Sequence, residues 1–142
     1  MTTPAQASSL TAEFVAPERA LRVLLMEDNE NNRMLFEFFV GVSEHEFAYA
    51  ADGEEGVRMH IERPFDLIFM DLEMPYMDGR EAARTIRSWE DDTGTAPVTI
   101  IALSAHTPAE VERESREIGC DGFLTKPFSR KDLLAIISRL AD

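Results

Sequence analysis

With 142 residues, 44% of them hydrophobic, the chain has room for one domain of ordinary size with its own core and none for a second. A net charge of −13 argues against nucleic acid as a direct ligand, because phosphate binding draws on a surplus of Lys and Arg, and suits cations or basic surfaces better, with plain solubility accounting for most of the 27 acids. The single Cys120 precludes an intramolecular disulfide, and no apolar run approaches the length of a membrane span.

Residues 1–19 are rich in Ala, Ser, Thr and Pro and lack both the basic start and the continuous apolar segment of a secretion signal. They read as a flexible lead or linker of a cytoplasmic chain, with the domain proper at 20–142. From there, short apolar runs alternate with amphipathic segments, the pattern of strand-helix units repeated around a parallel sheet. Strands are expected at "LRVLLM" (21–26), "EFAYA" (46–50), "FDLIFM" (65–70), "VTIIAL" (98–103) and "GFLT" (122–125). The third and fourth are nearly all apolar, as strands covered on both faces should be.

The helix after the first strand carries Leu35, Phe36, Phe39 and Val40 for a buried face. Met34 and Phe38 add apolar bulk that either widens the buried arc or faces a partner. Later helix starts are marked by Asp52 with Glu55, by Thr107-Pro108 with Glu110, and by Ser129 with Asp132, each placing a side-chain acceptor where free backbone N–H groups need one. The segment 107–118 has few apolar anchors beyond Val111 and Ile118 and should pack loosely, as suits a moving element. Five strands with five helices imply an α/β, doubly wound, five-stranded parallel sheet. In such sheets ligands bind beyond the carboxyl ends of the strands, where the strand order reverses.

Those ends carry Glu27-Asp28, Asp71, Ser104-Ala105 and Lys126-Pro127. Each has an ordinary explanation alone: Asp28 or Asn29 as a helix cap, Asp71 as a turn former, Ser104 as a loop residue, Lys126 as a solvated charge. Together they bring three carboxylates, a hydroxyl and an ammonium to one crevice. The first loop, "MEDNENN", is acidic and has none of the glycines of a phosphate-binding turn, so an anion needs a cation to approach it. Hard oxygen donors with open positions suit Mg²⁺, with Mn²⁺ as a substitute, better than zinc. One carboxylate, Asp71, can then act as nucleophile toward a phosphoryl group, while the metal on Asp28, the Lys126 ammonium and the Ser104 hydroxyl balance charge on its three oxygens.

On "VLLMEDNENNRMLF", "DLIFMDLEMPYMDG", "IIALSAH" and "DGFLTKPF", which occur in that order over residues 21–140, the chain resembles the receiver domain of two-component response regulators, most of all the receivers of hybrid histidine kinases. The resemblance implies a flavodoxin-like fold with strand order 2-1-3-4-5. It makes Asp71 the acceptor of phosphate from a phosphohistidine on a histidine kinase or histidine phosphotransfer protein. Mg²⁺ would be held by Asp28 directly, by Glu27 through water, by Asp71 and by the Glu73 carbonyl. Lys126 would hold a phosphoryl oxygen, and Ser104 would move toward the phosphoryl group as the ring of Phe123 turns inward. Glu73 and His106 would tune the phosphoryl lifetime, although His106 reads equally well as an ordinary polar residue of the loop. The bond before Pro127 would be cis, against a background of about 5–6% for X-Pro bonds. Glu27 stands where aspartate is commoner in the family, and Phe123 lacks the hydroxyl of tyrosine-bearing relatives. Such a domain catalyses only its own phosphorylation and dephosphorylation and signals to a downstream protein partner, which leaves room for a homodimer.

Two other classes share parts of this pattern. A haloacid-dehalogenase-like phosphatase also uses a strand-tip aspartate and Mg²⁺, but has a second Asp where this chain has Glu73. A flavodoxin-like binding module has a phosphate loop of Ser, Thr and Gly, unlike "EDNENN". A receiver that binds partners without phosphorylation would not need the full site. No output domain is expected after "LLAIISRLAD", so the chain reads as a stand-alone regulator or as the receiver piece of a hybrid kinase.

Overall fold

A computed structural model describes residues 19–75 and 77–142. The lead expected at 1–19 therefore lies, apart from Arg19, outside the described residues. Strands and helices alternate: β1 (Arg22–Met26), α1 (Glu30–Val40), β2 (Glu46–Ala50), α2 (Gly53–Glu62), β3 (Leu67–Asp71), α3 (Gly79–Thr93), β4 (Thr99–Ser104), α4 (Pro108–Glu117), β5 (Gly122–Thr125) and α5 (Arg130–Ala141). The strands form one parallel sheet in the order β2-β1-β3-β4-β5.

The two-residue period of the strands divides the core. Val23, Leu25, Leu67, Phe69, Ile101 and Leu103 point to one face, where Phe36 and Val40 of α1 and Leu133 and Ile137 of α5 cover them. Leu24, Met26, Ile68, Met70 and Ile100 point to the other, against Val57 of α2 and Ala82, Ala83 and Ile86 of α3. A smaller cluster of Leu72, Ala102 and Ile118, with Cys120 and Phe123 beside it, lies near α4. Among the described residues no helix is long and apolar enough to cross a membrane.

Local chemistry starts the helices as expected. The side chains of Asn29, Asp52, Thr107 and Ser129 accept from the backbone N–H three residues on, and Thr107 and Glu110 complete a reciprocal box. Two expectations need correction. β3 and β4 end on Asp71 and Ser104 themselves, because Asp71 pairs in register with Leu103 and Ser104 with Thr125, which carries the ladder one residue further. At the other end of β3, Asp66 turns its carboxylate to the Arg22 N–H at 2.7 Å and lies outside the strand.

The second correction concerns α1. Phe36 and Val40, one turn apart, are buried, and Phe39 is half-buried against Phe128. Leu35 is rotated off that stripe and is 43% exposed, while Met34 and Phe38 are 59% and 77% exposed. The apolar bulk of α1 therefore faces outward beyond what the core needs.

Candidate functional site

Strand order reverses between β1 and β3, so their carboxyl ends lie side by side and open a crevice between the loops that follow. Glu27 follows β1 and is buried. Its carboxylate takes the Lys126 Nζ at 2.9 Å through one oxygen and the Asn29 N–H at 3.2 Å through the other. Lys126 Nζ also lies 3.0 Å from Asp71 Oδ2, so one ammonium bridges the first and third strand tips. The lysine is placed by its own N–H, which donates to the Ser104 carbonyl at 2.7 Å, and the peptide bond to Pro127 is cis. Asp28 stands exposed at the mouth.

Glu27, Asp28 and Asp71 each offer an oxygen, and these atoms lie within 4.8 Å of one another. With all three ionised, a single lysine leaves a surplus of negative charge, and burial makes that surplus costly. Asp71 shows the cost: burial, opposed by the Glu73 N–H and the Lys126 charge and reinforced by Glu27, pushes its carboxyl up to about 7. Burial would also raise Glu27, but hydrogen bonds with Lys126 and Asp71 outweigh it and hold Glu27 below the usual carboxylate range. For Lys126, burial would depress the ammonium, and the two acids overcome this and raise it. Of the two adjacent acids, Asp71 is thus the one whose negative charge burial opposes more than its partners offset. An all-oxygen set without His or Cys, short of positive charge, fits a hard divalent cation such as Mg²⁺.

The remaining expected residues are close but differently engaged. The Glu73 N–H donates to Asp71 Oδ1 at 3.0 Å, while its exposed side chain accepts from the buried Ser104 Oγ at 2.9 Å. Ser104, expected to share the transferring group with Lys126, is thus turned to Glu73 in this structure. His106 is exposed, its N–H donates to Ser104 Oγ at 3.2 Å, and a hydrogen bond with Glu114 raises its imidazole above the ordinary value. Phe123 is half-buried on the edge strand β5 and lines grooves of about 340 and 200 Å³.

Sequence reasoning missed three residues here. Arg33 donates to the Glu27 carbonyl at 2.7 Å, and Arg80 and Glu114 form an ion pair between α3 and α4. Arg80 and Glu114 are 34 residues apart, and nothing in their local sequence marks them as partners.

Comparison with known proteins agrees with this geometry. The chain is 34% identical over 137 residues to the sensor histidine kinase GacS of Pseudomonas protegens, an alignment that covers 96% of this chain and 15% of GacS. It thus spans a small part of that relative's length. Among solved structures, it superposes with a TM-score of 0.82 on the receiver domain of the Saccharomyces cerevisiae response regulator Ssk1, crystallised with the histidine phosphotransfer protein Ypd1. Identity there is 34%, covering 89% of this chain and 91% of that one. It matches the receiver domain of the sensor histidine kinase PA1611 from Pseudomonas aeruginosa, which holds a magnesium ion in its active-site cleft, with a TM-score of 0.74 and 33% identity, covering 87% and 98% of the two chains. The family model of the response regulator receiver domain matches residues 23–138, and with the parallel sheet and the acid-lysine cleft in their places, the chain belongs to that family.

Proposed function

We propose that this chain is a phosphoacceptor of a two-component phosphorelay, in which Asp71 takes a phosphoryl group from a phosphohistidine. The observation that carries the reading is the single ammonium of Lys126 held between Glu27 and Asp71, with the Asp28 carboxylate beside them. Glu27, Asp28, Asp71 and the Glu73 carbonyl would hold Mg²⁺, with Mn²⁺ as a substitute. Bound there, the cation supplies positive charge against the phosphoryl oxygens and favours the ionised, nucleophilic form of Asp71.

Asp71 Oδ attacks phosphorus in line with the bond to the imidazole nitrogen, which leaves with the electron pair. The Glu73 N–H fixes one Asp71 oxygen, leaving the other to attack, and Lys126 lies within reach of a transferred oxygen. Ser104 exchanges Glu73 for the phosphoryl group, Phe123 turns inward, and α4 shifts with β5 and α5, altering what the domain binds. Glu73 and His106 flank the path of an attacking water and tune the lifetime of the product. The receiver unit comprises residues 20–142, works in the cytoplasm, and catalyses no reaction other than gain and loss of its own phosphoryl group.

The donor docks on the exposed Met34, Leu35 and Phe38 of α1. Of these, Leu35 also lines a groove of about 300 Å³, together with Phe36, Ala105, Lys126, Pro127 and Phe128. A histidine-bearing helix bundle suits this position, since the groove reaches Glu27 and Lys126 and the similar Ssk1 receiver was crystallised with such a phosphotransfer protein.

The deciding experiment incubates the protein with Mg²⁺ and acetyl phosphate and follows intact mass. Wild type should gain the mass of one phosphoryl group and Asp71→Asn none; labelling of the variant to the wild-type level overturns the reading. Phe38→Glu should label normally from acetyl phosphate and lose transfer from a phosphorylated histidine phosphotransfer protein. Retained transfer would remove α1 from the docking face.

A further inference from the structure

α4 is fastened to the rest of the molecule in two ways. Its apolar hold is small: within the helix only Val111 and Ser115 are buried, and Ile118 follows at its end. Its polar hold is concentrated on Glu114. One oxygen of that carboxylate meets His106 Nδ1 in the β4–α4 loop at 3.0 Å, and the other meets the guanidinium of Arg80 in the first turn of α3.

From His106 the bonds continue inward. Its N–H donates to Ser104 Oγ at 3.2 Å, the Ser104 hydroxyl donates to Glu73 Oε2 at 2.9 Å, and the Glu73 N–H donates to Asp71 Oδ1 at 3.0 Å. A run of bonded groups thus joins the phosphoacceptor to α4, with Glu114 at its outer end. A serine hydroxyl has one proton to give. Here it is given to Glu73, so Ser104 can serve a phosphoryl oxygen on Asp71 only by letting Glu73 go. The His106 N–H, which leans on the same oxygen, must then follow it or lose its acceptor. The imidazole that moves with it is held, among the described residues, by Glu114.

Resting on the reading of Asp71 as phosphoacceptor, we propose that Glu114 is a positioning residue: it anchors α4 to α3 and to the His106 loop, and so holds Ser104 on Glu73 in the resting state. Arg80 keeps the carboxylate in place when His106 departs. Two arrangements of one packed network then differ by the Ser104 and His106 bonds, which is the kind of two-state element a phosphoryl group can bias.

The test uses Glu114→Gln, which keeps the shape and removes the charge, and Glu114→Ala, which removes both. Three quantities are measured: amide exchange of residues 105–118 in unphosphorylated protein, the rate of Asp71 labelling by acetyl phosphate with Mg²⁺, and the urea midpoint. Exchange in α4 should rise by about fivefold, the scale of losing a well-placed ion pair at a partly exposed site. Labelling should be faster than wild type, because more molecules already have Ser104 free, and the urea midpoint should fall by no more than that same fivefold change in the folding equilibrium, about 1 kcal/mol. Combining Arg80→Glu with Glu114→Arg should restore slow exchange in the helix while labelling stays fast, because the swap remakes the pair between α3 and α4 and not the bond to His106; an unspecific loosening of the fold would not allow this.

Wild-type exchange and wild-type labelling in both Glu114 variants would overturn the proposal. Should those variants unfold, Arg80→Met and His106→Gln carry the same test: raised exchange in α4 supports the clamp and unchanged exchange rejects it. Absence of labelling in wild type would sink the phosphoacceptor reading alone, since exchange in the unphosphorylated protein still reports on the clamp.

Discussion

Replacing Gly79 by alanine would press directly on the strand that carries Asp71. Gly79 opens α3 and is buried, and a Cβ there would lie 2.6 Å from the Asp71 carbonyl oxygen, 2.8 Å from Leu72 Cα and 2.9 Å from Leu72 Cδ2. Comfortable contacts begin near ~3.5 Å, so the overlap is on the order of 0.6–0.9 Å. Two of the three atoms belong to the backbone and cannot rotate away. Alanine in a helix gains up to ~1 kcal/mol over glycine, while overpacking of this kind costs about 1–3 kcal/mol. With backbone as the obstacle the cost sits at the upper end, and the net loss should be about 2 kcal/mol, a fall in Tm on the order of 8 °C for a domain of this size. The same push displaces Asp71, so labelling by acetyl phosphate should slow. Gly94→Ala is the comparison: its φ of 72° strains an alanine, but nothing lies within 4 Å of a new Cβ. It should cost ~1 kcal/mol and leave labelling at the wild-type rate. Thermal unfolding and an intact-mass time course read both effects. A Gly79→Ala protein that melts and labels like wild type would refute the packing argument.

Two further predictions concern the opposite end of the sheet. His60 is buried beside Phe65 and Trp89, its Nδ1 accepts the Phe65 N–H at 3.1 Å, and its Nε2 has no partner among the described residues. Burial holds its pKa below the ordinary value, with Glu90 pulling it up and Arg87 and Arg22 pushing it further down. The folded state favours neutral imidazole, so this contribution is whole above the ordinary pKa of about 6.5 and fades as pH falls from there toward the depressed folded value. Urea midpoints at about pH 7.5 and about pH 5.5 should therefore differ more in wild type than in His60→Gln, and an equal difference would exclude His60 as the cause. Glu90 is buried on α3 and accepts the Val98 N–H at 2.7 Å and Arg87 Nη1 at 3.0 Å. Glu90→Leu should cost about 2–3 kcal/mol by stranding both donors, whereas Glu90→Gln, which keeps an acceptor, should cost less than about half of that. Equal urea midpoints for the two variants would show that the carboxylate holds neither group.

Much of the architecture, and the gathering of Glu27, Asp28, Asp71 and Lys126 in one candidate site, could be read from residues taken in order. The alternation of Val23, Leu25, Leu67 and Phe69 with Leu24, Met26, Ile68 and Met70 divides a sheet into two covered faces whatever packs on them. Asn29, Asp52, Thr107 and Ser129 mark helix starts because a cap bonds to backbone only three residues away. The acids and the lysine could be assigned to one crevice because parallel strands send all their carboxyl ends to the same edge of the sheet.

What local pattern could not decide is where each side chain turns once the elements meet. Leu35 belongs to an apolar run that suits a core, yet the rotation of α1 on the sheet buries Phe36 and Val40 and leaves Leu35, Met34 and Phe38 outside. Ser104 stands at the expected strand tip, but its hydroxyl goes to Glu73. Glu114 looks like one more acid on a polar helix until α4 lies beside α3 and meets Arg80. Sequence alone specified the period, the caps and the strand-tip chemistry, because these depend on neighbours along the chain. Partner choice, exposure and the charge state of Asp71 waited on the tertiary structure, because they depend on the distance and dielectric between groups that only the folded sheet brings together.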